Sequence, residues 1–239
     1  MAISPGNTDI VASKIRTASA NVEKVYYSGV QNGQDEFWKL YQQEGTMTNY
    51  SNAFSGPGWT RETFMPRYDI KNITNAYMLF YQSEIKGDLV EILDNLGIVL
   101  DVDYRTATYA FSKTHFTRLG EINLSNTKGG SKCMFSESLF LTKIDKLIFS
   151  EVTNLNDDTF RQTPALEDIT IEGSVACNLD FQWSPLSRTS IESIVGHLSG
   201  DASGKTLTLS KSAVTSAFGG EWDTYVNANK PSGWNITLV

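Results

Sequence analysis

The sequence predicts an α/β solenoid: a short, irregular array of stacked units with one parallel sheet, an N-terminal helical segment and a C-terminal cap of helices and strand. Three observations carry that expectation. A phenylalanine recurs after a small or apolar residue at Phe54, Phe80, Phe111 and Phe135, and again after Thr159 as Phe160. An apolar triplet then follows: Leu119, Ile122, Leu124; Ile144, Leu147, Phe149; Leu166, Ile169, Ile171. The three anchors move together, by 25 residues from the first set to the second and by 22 from the second to the third. Such a triplet is what a short strand with alternate residues facing inward produces. Units that cannot bury an apolar face alone stack on their neighbours.

A strand of this kind at a period of roughly 20–29 residues is the leucine-rich-repeat pattern. The elements follow in order. Residues 1–30 carry a helix over 9–29, with Ile10, Ile15, Val22 and Val25 at roughly helical intervals and Gly29 as a stop. That helix would pack on a sister subunit or on its own domain. Residues 31–70 form an aromatic-rich cap. In it Asp35 to Gln43 reads as a second helix with Phe37, Trp38 and Tyr41 on one side, and Gly56-Pro57-Gly58 makes a turn before Trp59. The aromatic density reads as closure of an open core, with a sugar-binding platform as the alternative. Residues 71–183 hold the repeats, with the phenylalanines as a spine on the outer wall. The interval of 31 from Phe80 to Phe111 leaves the unit over 89–102 irregular. Between the anchors Glu121, Asn123, Lys146, Ile148, Asp168 and Thr170 face outward, and a further strand adds Thr206 and Thr208. This exposed strand face is either a binding surface or a plain solvated one. Residues 184–239 read as a C-terminal cap: a helix capped by Ser187 and running to Leu198, another over Lys211–Phe218, then Trp222, Tyr225 and a last strand from Trp234 to Val239.

Composition narrows the function. The 239 residues carry a formal net charge of −7 and are 40% hydrophobic. An acidic chain lacks the basic surface that nucleic-acid binding requires. No apolar run reaches the ~18–20 residues of a bilayer span, so membrane insertion is not expected. The start, MAISPGNTDIVASK, has no basic stretch leading into an apolar one, so no secretory signal is expected. Cys133 and Cys177, with His115 and His197, match no zinc spacing and read as two small buried thiols and structural histidines. No nucleophile elbow, phosphate loop, metalloprotease or dinucleotide motif occurs. The pairs Asp101/Asp103 and Asp157/Asp158 resemble glycosidase carboxylates in type only, and Asp157-Asp158 is explained by a turn. The expectation is a protein with no catalytic residues, metal or cofactor.

Several strings resemble a known family. They are Asn21-Val22-Glu23-Lys24-Val25-Tyr26 with Gly29, Phe37-Trp38 with Tyr41-Gln42 and Gly45, and Asn49-Tyr50 with Ala53-Phe54, Gly56 and Gly58-Trp59. Phe64, Pro66 and Tyr68-Asp69-Ile70 follow, then Ile169-Thr170-Ile171-Glu172-Gly173, Ser184-Pro185-Leu186-Ser187 and Gly233-Trp234-Asn235. Together they look like a family of leucine-rich-repeat proteins of bacteriophages and prophages of gut bacteria, often encoded beside tail and baseplate genes. The repeats are similar to those of BspA-like bacterial surface proteins. The resemblance implies a non-enzymatic virion component, made in the host cytoplasm and associated with the tail. It would bind a host-surface glycan or protein through the exposed strand face, contact other virion subunits, and oligomerise with its own copies through residues 9–29. The alternatives are a bacterial cell-surface adhesin of the BspA-like kind and a purely structural decoration protein of the virion.

Overall fold

The computed structural model of the chain describes residues 2–3, 26–27, 50–64, 70–127, 131–150 and 153–239. Phenylalanine spacing becomes packing: Phe54, Phe80, Phe111, Phe135 and Phe160 form one column, with successive ring centroids 5.0, 5.7, 5.8 and 5.2 Å apart. Phe181 extends it at 4.4 Å from Phe160. Every ring in the column is fully buried, and near-parallel offset rings add to the burial energy about 0.5–1.5 kcal/mol per pair. The turns that carry the rings are strapped to one another. The Phe54 N–H donates to the Leu79 carbonyl, Phe80 to Ala110 and Phe111 to Met134, each at 2.8 Å.

Those turns use left-handed backbone without glycine. Met78 and Gln82, Tyr109 and Lys113, and Cys133 and Glu137 take φ of 53° to 59° two residues before and two residues after a phenylalanine. L-residues enter this region at a cost, which the ring column and the turn-to-turn bonds offset. Three residues after Phe111, Phe135 and Phe160 a buried hydroxyl finds a backbone acceptor. Thr114 Oγ1 and Ser138 Oγ donate to the Phe111 carbonyl at 3.0 and 2.6 Å, and Thr163 Oγ1 donates to Phe160 at 2.8 Å. A buried hydroxyl left unpaired would cost about 1–3 kcal/mol.

The strands are β1 (Ala2–Ile3), β2 (Tyr26–Tyr27), β3 (Ile70–Asn75), β4 (Lys86–Asp88), β5 (Leu100–Thr106), β6 (His115–Asn123), β7 (Lys143–Phe149), β8 (Asp168–Gly173), β9 (Leu179–Phe181), β10 (Lys205–Leu209) and β11 (Trp234–Leu238). The helices are α1 (Leu89–Leu96), α2 (Arg188–Gly196), α3 (Lys211–Phe218) and α4 (Trp222–Asn229). Among the described residues all strand pairings are parallel. They divide among separate sheets: β1 with β2, β3 with β5, the four-stranded β4-β6-β7-β8, and β9-β10-β11.

The expected solenoid with one parallel sheet is therefore corrected. The chain is a mixed α/β fold with several sheets, not a leucine-rich-repeat array. Two physical reasons stand out. The long interval between Phe80 and Phe111 holds β4, α1 and β5, and its two strands go to different sheets, β4 beside β6 and β5 beside β3. The offset of 22 residues is also not the register adopted. Ile144 pairs with Ile169 and Leu147 with Ile171, with a register shift between them, while Leu166 lies in the turn before β8. The matching triplets thus mark one-residue irregularities in the strands as much as a constant unit.

At the C-terminal side Ser187 accepts from the Ser190 N–H and starts α2, Ser210 accepts from the Ala213 N–H and starts α3, and the last strand is β11. Trp234 is buried and its indole N–H donates to the Ser199 carbonyl at 2.9 Å. Of the helix expected over 9–29, only Tyr26–Tyr27 is described, and it is a strand paired with Ala2–Ile3. The helix expected at 35–43 lies outside the described residues.

Candidate binding site

The eight outward-facing candidates divide between two sheets. Glu121, Asn123, Lys146, Ile148, Asp168 and Thr170 lie in the four-stranded sheet. Thr206 and Thr208 lie in β10, in the separate C-terminal sheet. Within the first group, charge is internally matched. Lys146 lies between Glu121, at 3.5 Å, and Glu172, at 2.9 Å. The Glu172 carboxylate, followed by that of Glu121, raises the Lys146 pKa above the ordinary lysine value. A second row lies beside it. Arg118 grips Asp145 through Nε at 2.8 Å and Nη2 at 2.7 Å, and reaches Asp88 through Nη1 at 3.1 Å. The Arg118 hydrogen bonds hold the Asp145 carboxyl below the usual range. Asp88 serves twice, since its Oδ1 also caps α1 by accepting from the Val90 and Glu91 N–H groups at 2.8 and 3.1 Å. Asp168 accepts from the Ser187 hydroxyl at 3.2 Å. Thr170 sits between the buried Ile169 and Ile171 and faces solvent.

Two of the candidates belong to a different feature. Glu121 and Asn123, at the end of β6, line a cleft of about 350 Å³ with Asp101, Asp103 and Tyr104 of β5 and Asn126 of the following turn. The cleft lies between β5 of the two-stranded sheet and the end of β6 in the four-stranded one. Alternation along β5 points Val102 and Tyr104 inward and leaves Asp101 and Asp103 on the open side. Asp103 Oδ2 takes the Arg105 Nε at 2.7 Å, while its Oδ1 is buried with no hydrogen-bond partner among the described residues. Asn123 Oδ1 accepts from the Ser125 N–H at 3.0 Å and hydroxyl at 2.6 Å, which leaves its amide nitrogen as the free donor. Burial, with a smaller contribution from the Asp101 charge, pushes the Tyr104 hydroxyl above the ordinary tyrosine range. The cleft thus offers carboxylate acceptors and amide donors, the pairing that polyol hydroxyls require.

Sequence reasoning missed Glu172, Arg118 and Asp145, because cross-strand partners are set by register, which one strand's pattern does not encode. It noted Asp101 and Asp103 as a carboxylate pair but could not place Glu121 and Asn126 beside them. His115 is a packing residue: its ring stacks on Phe140 at 5.2 Å and its Nδ1 lies 3.3 Å from the Ser83 carbonyl. Cys177 is buried and Cys133 half-buried, both as free thiols. Among the described residues no cluster of three or more His, Cys, Asp or Glu could hold a metal ion, and no helix is long and apolar enough to cross a membrane. Comparison with known proteins found no matching family model, no matching curated protein and no matching solved structure.

Proposed function

We propose that the chain is a non-enzymatic, tail-associated phage virion protein that binds a host-surface glycan in the cleft between β5 and the end of β6. The observation that carries the glycan reading is the cleft itself, about 350 Å³ and lined by the carboxylates of Asp101, Asp103 and Glu121 and the amides of Asn123 and Asn126. Sugar hydroxyl groups both donate and accept, and a lining of carboxylate acceptors and amide donors meets both needs. Binding fits better than turnover. Asp103 is held by Arg105 and Glu121 by Lys146, which fixes both side chains in place as acceptors for sugar hydroxyl groups. The virion setting rests on the family resemblance, and many copies on a particle would convert weak single sites into avidity.

The test is a glycan array and whole-cell binding with the intact chain, Asp103→Asn and Asn123→Ala. Glycan binding that both substitutions reduce at least tenfold supports the reading. Binding that neither substitution alters, or sugar release that depends on Asp101, Asp103 or Glu121, refutes it. A structural decoration role is the second reading, favoured by the internally paired charges of the four-stranded sheet face. It predicts incorporation into particles with no cell binding.

A further inference from the structure

Two edge strands of the larger sheets, β8 and β11, are treated differently. At β8 the edge is covered: Ser190 Oγ of α2 accepts the Ile169 N–H at 2.9 Å, and Ser193 Oγ accepts the Ile171 N–H at 2.8 Å. Helix α2 thus satisfies donors that would otherwise template another strand. Among the described residues β11 has no such cover. Pairing with β10 occupies one side of the strand, and the backbones of Gly233 and Val239 bond towards Gly204, Leu209 and Lys211. Alternation therefore turns the N–H and C=O groups of Trp234, Ile236 and Leu238 to the open side. Lys230 Nζ already occupies the Trp234 carbonyl at 2.7 Å. Ile236 and Leu238 remain, in a run, Trp234-Asn235-Ile236-Thr237-Leu238-Val239, that carries no charged side chain. Charge, proline and bulges are the usual protections of an edge, and this run has none of them.

We propose that β11 is a two-fold pairing edge for a second copy of this chain. A two-fold axis makes two edge strands antiparallel, and the exposed groups select the register. Centring the axis on Thr237 sets Ile236 opposite Leu238 of the second copy as a hydrogen-bonded pair, each exchanging N–H and C=O with the other. No other centre uses both free residues in both copies while leaving the Lys230 bond intact. The register is self-complementary in its side chains as well. Ile236 and Leu238, half-buried against the core, meet each other on one face. Thr237 meets its own copy on the other face, at the close spacing of a non-hydrogen-bonded pair. The three-stranded sheets would join as one continuous six-stranded sheet across the axis. The contact is small against the ~800 Å² per partner of a stable interface, so the pair is weak in solution and depends on protein concentration. This interface is distinct from the sister-subunit role expected of residues 9–29.

The experiment is sedimentation velocity from micromolar to millimolar protein, with intact chain, Thr237→Lys, Thr237→Asp and Thr237→Cys. Thr237 is exposed, so these changes leave the melting temperature near that of the parent, and a melt of each variant confirms it. The expected result is a mass rising towards dimer with concentration. Lysine or aspartate alone weakens association about tenfold through like charges facing across the axis. An equimolar mixture of Thr237→Lys and Thr237→Asp restores association, and Thr237→Cys cross-links under mild oxidant. A chain that stays monomeric throughout, a dimer indifferent to Thr237→Lys, or a mixture that does not recover would each overturn the proposal.

Discussion

Replacing Phe135 by alanine tests what holds this fold together. Phe135 is fully buried in the middle of the ring column, with Phe111 at 5.8 Å on one side and Phe160 at 5.2 Å on the other. Truncating a buried phenylalanine costs about 3–5 kcal/mol through lost transfer energy and the cavity left behind. Of that total, two ring pairs account for about 1–3 kcal/mol at about 0.5–1.5 each. Leucine in the same place keeps much of the volume and loses both ring pairs, so Phe135→Leu should cost about 1–2 kcal/mol. Urea denaturation, read as a shift in midpoint at constant slope, measures both. A double-mutant cycle with Phe111→Ala should show a coupling of about 0.5–1.5 kcal/mol, because the two rings touch. Phe181 ends the column with one ring neighbour, so its coupling to Phe135 should be near zero. A Phe135→Ala cost below about 1.5 kcal/mol, or no coupling to Phe111, would refute the ring column as the organising contact.

Further outcomes follow from single contacts. Asp145 has a folded pKa depressed by Arg118, so its contribution is present above the unfolded value of about 4 and is lost as pH falls through the folded one. Arg118→Gln should therefore lower stability at neutral pH, by about 1 kcal/mol or less because the pair is partly exposed. Its urea midpoint should converge on the parent's as pH falls towards 2; a constant gap would refute the linkage. Gly173→Ala should cost about 2–3 kcal/mol in thermal or chemical denaturation, since its φ is +84° and an added Cβ would strike the Phe149 carbonyl oxygen. Ser193→Ala removes the acceptor of the Ile171 N–H at the sheet edge. It should cost about 1 kcal/mol and speed hydrogen exchange at Ile171 while leaving Phe111 unchanged.

Much of the local architecture was legible in the residues. The phenylalanine intervals, the strand cores at Leu119, Ile144 and Ile169, the Ser187 cap, the helix over Lys211–Phe218 and the last strand from Trp234 all follow from patterns within a few residues. Legibility ended where the next step needed partners. The triplet match placed Leu166 with Ile144, although Ile169 pairs with Ile144. An apolar side chain is equally at home in a turn before a strand and in the strand itself, so periodicity alone could not choose. The candidate face suffered in the same way. Lys146 and Glu121 were visible as outward residues, but the Glu172 that binds Lys146 more closely belongs to the neighbouring strand, and Thr206 and Thr208 lie in another sheet.

The sequence by itself determined the phenylalanine intervals, the Ser187 cap and the apolar cores of β6, β7, β8 and β11. Those properties depend on the chemistry of a residue and its near neighbours along the chain. Only the tertiary structure decided how many sheets the strands form, which charges neutralise one another, and that Asp101, Asp103, Glu121, Asn123 and Asn126 share one cleft. It also decided that β8 is covered while β11 is open. These depend on register. A shift of one residue in a strand moves every side chain to the opposite face, and the one-dimensional pattern carries too little information to set it.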